Sequence, residues 1–281
     1  MGLEKSSKLV QLQTTLPEGL LATAAWLKKK GYSDQLLKKY RAAGWIESPA
    51  RGVYRRPGAR LRWEQVVSSL GKLLDQPPHV GGLSALELHG RAHYLKPRGP
   101  GSIHLYSNEP LPKWVHELPL KERFVEHRDR LFQGATGIAG LVGSEKTGER
   151  DHTDALRQSL TAEPYGPWDW DLVYSTPERA ILEFLDEVPK RETVDHAERL
   201  LGLLGDLSSR RVVKLLAACR SVKVKRLFLA LASRRAFHWV KPVLEAADRG
   251  EFALGKGKRS LGPGGQLDRK YLITLPPKRD V

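Results

Sequence analysis

The chain has one cysteine, Cys219, among 281 residues. That excludes an internal disulfide and any zinc site built on a cysteine cluster, and it points to a cytoplasmic location. Long apolar runs are missing too. No stretch approaches the ~20 apolar residues that a membrane-crossing helix requires. The opening MGLEKSSKLV lacks a signal-peptide core. Gly2 alone would suit myristoylation, but no second membrane signal accompanies it, so no membrane partner is expected.

Catalytic constellations are scarce as well. The histidines at positions 79, 89, 93, 104, 116, 127, 152, 196 and 238 show no HExxH-type spacing. His89 and His93 stand four apart, but Gly90 lies between them and no carboxylate follows at a matching step. The stretch GEFALGK, residues 250–256, approaches a phosphate-binding loop. However, Gly257 stands where a Ser or Thr should hold magnesium, and a helical pattern precedes it instead of a strand. Asp169 and Asp171 alternate with Trp168 and Trp170 at a strand start. Any strand places residues two apart on one face, and no lysine completes a nuclease set. Cys219, in an apolar helix, reads as a core thiol. No catalytic residue, metal ligand set or cofactor is expected, and the chain is not expected to be an enzyme.

Positive charge, by contrast, is abundant and unevenly placed. The net charge is +15. Residues 1–91 carry 15 Lys and Arg against 7 Asp and Glu, residues 92–204 carry 14 against 19, and residues 205–281 carry 18 against 6. Two basic ends flanking an acidic middle suggest polyanion contacts at both ends. Forty per cent hydrophobic residues suffice for packed cores.

The N-terminal basic segment, residues 20–57, reads as helix, tight turn, helix and short hairpin. In 20–29, Leu20, Leu21, Ala24 and Leu27 form an apolar face, with Lys28–Lys30 in the last turn and Gly31 closing it. Ser33 caps the next helix. There Leu36, Leu37, Tyr40 and Ala43 face inward and Gln35, Lys38, Lys39 and Ala42 face outward. WIES and GVYRR read as two strands around a Pro-Ala-Arg-Gly turn. That order is what a winged helix-turn-helix needs to seat one helix in a major groove and touch the backbone with a wing. Ser33, Gln35, Lys38, Lys39, Arg41, Arg51, Arg55 and Arg56 are the candidate DNA-binding residues. Lys and Arg neutralise phosphates, and Gln35 can offer a bidentate pair to adenine.

Residues 3–13 form a weak first helix, 63–75 an amphipathic one, and 82–89 a shorter one capped by Ser84. Alternation at 103–107, 123–127 and 170–175 predicts strands, and residues 133–153 read as loop. Ser175 and Glu178, three apart, suggest a capping box for a helix over 178–188. Helical patterns continue to residue 250. Residues 252–276 read as a basic pair of strands, FALGKGKRSLG and KYLITLP. Lys214, Arg220, Lys223, Lys225, Arg226, Lys256, Lys258, Arg259 and Lys270 make a second candidate basic surface, with Lys223, Lys225 and Arg226 the sharpest group.

The chain resembles the AbiEi antitoxins of bacterial abortive-infection toxin–antitoxin pairs. The resemblance rests on RGVYRRPG at 51–58, HVGGLSALELHG at 79–90, STPERAILEFLDEV at 175–188, LLAACRSVKVKRLFLALA at 215–232 and LGKGKRSLGPGGQLDRKYLITLP at 254–276. It implies an N-terminal winged helix that represses its own operon by binding inverted repeats in double-stranded operator DNA. It also implies a C-terminal domain that counteracts a nucleotidyltransferase-like toxin, in many members without a stable complex. On this resemblance, the second basic surface would be the antitoxin surface.

The expected architecture is a helix-rich α+β fold. A winged helix-turn-helix spans 1–91 and a mixed antitoxin domain spans 92–281, strand-containing over 92–175, helical over 176–250 and closed by a basic hairpin at 252–276. The rival readings are a plain winged-helix transcription factor with a ligand- or partner-binding second domain, and a metal-dependent nuclease.

Overall fold

In the computed structural model, the described residues are 2–75, 77–92, 101–133, 156–164, 170–262 and 264–275, with side chains from Lys8 onward. The segments read above as the 133–153 loop and as Asp169 lie outside them, apart from Gln133, and so does His93.

The chain opens with α1 (Gly2–Thr15), β1 (Leu21–Thr23), α2 (Ala24–Lys29), α3 (Asp34–Ala42), β2 (Glu47–Ala50) and β3 (Val53–Arg55). The strands form a sheet in the order β1-β3-β2. Residues 20–23 are thus not the start of a helix. Thr23 is extended and its hydroxyl accepts from the Trp26 amide at 3.2 Å, so the helix begins only at Ala24. Leu21 pairs with Arg55 and Thr23 with Val53. At the next junction Gly31 has φ +88°, and the Ser33 hydroxyl caps α3 by accepting from Leu36 at 3.3 Å. Leu12, Leu16, Leu20, Leu27, Tyr32, Leu37, Tyr40 and Ile46 close a small core. Ala43, expected inward, is exposed.

Next come α4 (Trp63–Leu73), β4 (His79–Val80), α5 (Gly82–Leu88), β5 (Ser102–Ser107), a 3-10 turn (Lys113–Glu117), β6 (Arg123–Arg128), β7 (Leu160–Pro164) and β8 (Asp171–Ser175). Five of these strands make a mixed sheet, β6-β5-β4-β8-β7. The β5–β6 and β4–β8 pairs are parallel, whereas β4–β5 and β7–β8 are antiparallel. β4 therefore places residues 79–80 inside the sheet made by later strands.

The last stretch is helical: α6 (Pro177–Asp186), α7 (Val194–Gly202), α8 (Ser209–Ala218), α9 (Val222–Ala232) and α10 (Val240–Asp248). Glu178 through Leu185 of α6 are all buried. α6 packs against α5, β8 and the helices that follow. Thr176, not Ser175, precedes its first turn, and no capping box forms. Ser175 instead donates to Glu183 at 2.8 Å, while Glu178 accepts from the Ser208 amide at 2.9 Å and from Arg211 at 3.0 Å. Both residues are buried, and distant partners override the local cap.

Ser84 is likewise not a cap. It lies within α5 and stitches that helix to β5, donating to the Ser102 carbonyl and accepting from the His104 amide. The terminal basic pair of strands proves to be three short strands, β9 (Arg259–Ser260), β10 (Gln266–Asp268) and β11 (Ile273–Leu275). β11 is central, antiparallel to β10 and parallel to β9.

Candidate nucleic-acid interface

α3 carries its charge on the solvent side. Gln35, Lys38, Lys39 and Arg41 are exposed, and Leu37 and Tyr40 are buried beneath them. Lys28 and Asp34 form a 2.7 Å ion pair across the turn between α2 and α3. Lys30 stacks over Trp26, 5.5 Å from its ring centre. The hydroxyl of Ser33 is occupied by the cap, so its part is to orient α3. These side chains present one acidic and several cationic groups on a single face, a surface suited to a phosphate-lined groove.

The two hairpin strands meet at Arg51-Gly52, a tighter turn than the Pro-Ala-Arg-Gly expected. Gly52 has φ +72°, and its carbonyl accepts from the Ala24 amide at 2.8 Å. The hairpin tip is thereby tied to the start of α2. Arg51 is exposed there. Arg55 is not available as a phosphate contact. It is buried, its Nε pairs with Glu47 on β2, and its other donor reaches the Ala59 carbonyl at 3.1 Å. Arg56 is half-buried and reaches back to the Gln13 carbonyl at 3.4 Å.

The second basic surface divides in the same way. Arg226 is 1% exposed and donates to four carbonyls, those of Leu254, Gly255, Gly257 and Leu272. Lys225 is 6% exposed, and burial lowers its pKa. Lys223 donates to the carbonyls of Asp186 and Val188. The group at 223–226 expected to splay outward is therefore structural. It sits at the N-terminus of α9, where the sequence shows charge but not the loop folded over it. Lys270 is exposed and pairs with Asp248 at 3.1 Å. Lys256, Lys258, Arg259 and Arg220 remain exposed, and Lys214 is half-buried.

One buried assembly has no counterpart among the sequence-based expectations. Arg179, Glu183 and Glu187 recur every four residues along α6, with Arg191 one step beyond. They face a row of rings on the sheet: His79, Tyr106, His127 and His104. His79 stacks on Tyr106 at 5.5 Å, Tyr106 on His127 at 4.5 Å, and His127 on His104 at 5.0 Å. Glu183 accepts from His79, Arg179, Ser175 and the Gly82 amide. Arg179 also reaches Asp129 at 2.9 Å, and His127 meets Glu187 at 3.0 Å.

Gly81 is required at this junction because a Cβ there would lie 2.3 Å from Glu183 Oε2. Burial alone would raise the Glu183 carboxyl, but Arg179 and His79 beside it bring it down to about 2. Burial, aided by the neighbouring His127, lowers the His104 imidazole to about 4. The four-residue spacing from 179 to 191 is the one signal the sequence offers, and it matches a plain amphipathic pattern equally well.

Among the described residues, no three His, Cys, Asp or Glu side chains are grouped so as to hold a metal ion. Among them, too, no helix is long and apolar enough to cross a membrane.

The described residues form a helix-rich α+β fold. Residues 5–97 match the family described as transcriptional regulator, AbiEi antitoxin N-terminal domain. Residues 101–276 match transcriptional regulator, AbiEi antitoxin, type IV TA system. The chain belongs to this AbiEi antitoxin family. Among solved structures, the crystal structure of the Rv2827c protein from Mycobacterium tuberculosis is similar, with a TM-score of 0.51 and 15% identity over 96% of this chain and 90% of that one. At that identity the likeness is one of fold. No curated protein matches the chain.

Proposed function

We propose that this chain is an autorepressor that binds operator DNA of its toxin–antitoxin operon, and an antitoxin that counteracts a nucleotidyltransferase-like toxin, with no catalytic role of its own. The observation that carries the DNA-binding half is the exposed face of α3. Gln35, Lys38, Lys39 and Arg41 stand clear of the core, and Arg51 is exposed at the hairpin tip. α3 enters the major groove, the hairpin acts as a wing, and inverted half-sites are each met by one copy. Arg55 and Ser33 act by holding the wing and α3 in place, not by touching DNA.

The antitoxin half is assigned to the part of the second basic surface that is not buried: exposed Arg220, Lys256, Lys258, Arg259 and Lys270, with half-buried Lys214. Clustered cations raise encounter rates with a polyanion or an acidic protein face in a salt-sensitive way, and counteraction of the toxin does not require a stable complex. Residues 1–91 and 92–281 are taken as the two functional parts. Co-expression with the neighbouring toxin separates this reading from a plain regulator. A charge-reversed Lys256, Lys258 and Arg259 variant should lose rescue of toxin-expressing cells while keeping its melting temperature and operator binding. Full rescue by that variant would remove this surface from the antitoxin role.

A further inference from the structure

The buried guanidinium of Arg226 has no carboxylate partner among the described residues. Its donors reach only carbonyls, those of Leu254, Gly255, Gly257 and Leu272. Three of these belong to one short loop, which the guanidinium gathers inward. In a planar trans peptide, the C=O and the following N–H point in opposite directions. The amides of Gly255, Lys256 and Lys258 therefore point away from Arg226, and all three residues are exposed. None of the three donates to another described residue.

Gly255 and Gly257 have φ of +68° and +76°, and N–H groups turned to one side of such a turn are suited to an anion. Lys256, Lys258 and Arg259 are exposed around it. No ion pair joins them to a described acidic residue. Arg259 also acts on Arg226 as a like charge, so the neighbourhood holds excess positive charge that an anion would relieve.

We propose that residues 255–259 form a phosphate-binding cradle, in which the amides of Gly255, Lys256 and Lys258 and the side chains of Lys256, Lys258 and Arg259 hold one phosphate group. This is not the loop that the GEFALGK stretch approaches. It has no strand before it, no magnesium-holding hydroxyl and no helix opening after it. Its donors are turned outward by a distant arginine on α9. The ligand is either a free phosphate group or the phosphodiester of a nucleic-acid strand, because both present the same oxygens. The proposal deepens the assignment of this surface to antitoxin action, but its test is a binding measurement that does not depend on toxin rescue.

The test is amide-resolved NMR of the full chain, titrated separately with inorganic phosphate, adenosine monophosphate and a single-stranded RNA decamer. Saturable shifts of the amides of residues 255, 256 and 258 with at least one probe are expected. Equal response to all three would identify a free phosphate group as sufficient. Tighter binding of the decamer, by tenfold or more, would identify a polynucleotide strand. Combined Lys256→Ala, Lys258→Ala and Arg259→Ala substitution should weaken binding at least tenfold.

Arg226→Lys keeps the charge but cannot gather four carbonyls, and it should also weaken binding several-fold. Unmoved loop amides with all three probes would overturn the proposal, as would an Arg226→Lys variant that is folded and binds like the unaltered protein. If that variant fails to fold, the amide map of the unaltered protein decides alone. Loss of rescue without any phosphate response would leave the antitoxin surface standing and reject the cradle.

Discussion

Arg179 sits 2% exposed between Glu183 and Asp129. Its replacement by Ala leaves buried Asp129 without its guanidinium and Glu183 without its cationic neighbour on α6, and is expected to destabilise the chain by about 3–5 kcal/mol, read as a fall in urea midpoint. The same assembly sets the acid response. Glu183 is depressed to about 2, so its stabilisation is present above the ordinary carboxylate range and is lost as pH falls toward that value. His104, depressed to about 4, favours the folded state while neutral, and that contribution begins to fail below the ordinary imidazole value of 6.5. Melting temperature should therefore fall from pH 7 to pH 4, and His104→Gln should flatten the upper part of that fall. Charge type and number are legible in the sequence at this scale. Which arginines are buried is not, because the partners of Arg55, Arg179 and Arg226 come from other elements. The contrast is testable. Arg55→Ala should lower the melting temperature, by about 1–3 kcal/mol of stability for unpaired Glu47 and poorer packing, whereas exposed Arg51→Ala should leave it unchanged.

Caps decide where the helices of the N-terminal unit begin. Ser33 and Thr23 each satisfy one amide, and Ser33→Ala should cost about 1 kcal/mol and loosen α3, visible as faster hydrogen exchange at Leu36 and Leu37. The Ser33 cap, the break at Gly31 and most helices of the second half are readable from spacing alone. β1 is not, because three residues carry too little pattern, and Leu20 and Leu21 fit a helical face as well as a strand. The Ser175–Glu178 pair shows the opposite failure. Its spacing suits a capping box, yet both side chains are drawn to Glu183, Ser208 and Arg211. The three-stranded terminal sheet is hidden for a related reason: Arg226 ties the loop before β9 to Leu272 just before β11, a contact between distant segments.

Two cores meet across the middle of the chain. Trp170, just before β8, is buried in the small N-terminal core, with its ring 6.2 Å from Trp26 of α2. The Leu21 amide donates to Ser69 on α4 at 2.8 Å. The small core beneath α2 and α3 is therefore braced by a residue far away in sequence. Trp170→Ala should destabilise the chain by about 3–5 kcal/mol and weaken DNA binding without touching α3. A fragment of residues 1–91 should bind DNA but melt earlier than the intact chain. The charge division into two basic ends is legible from composition, as is the α+β class. The place of β4 is not, because it enters a sheet whose other strands follow it by tens of residues. At this scale the central claim is that α3 and the hairpin tip face DNA. Fluorescence anisotropy of duplex from upstream of the gene, across a salt series, measures it. The combined Lys38→Ala, Lys39→Ala and Arg51→Ala variant should bind more weakly on every sequence, with a log–log salt slope shallower by roughly one unit for each phosphate no longer neutralised. Affinity and slope equal to those of the unaltered protein would contradict the account.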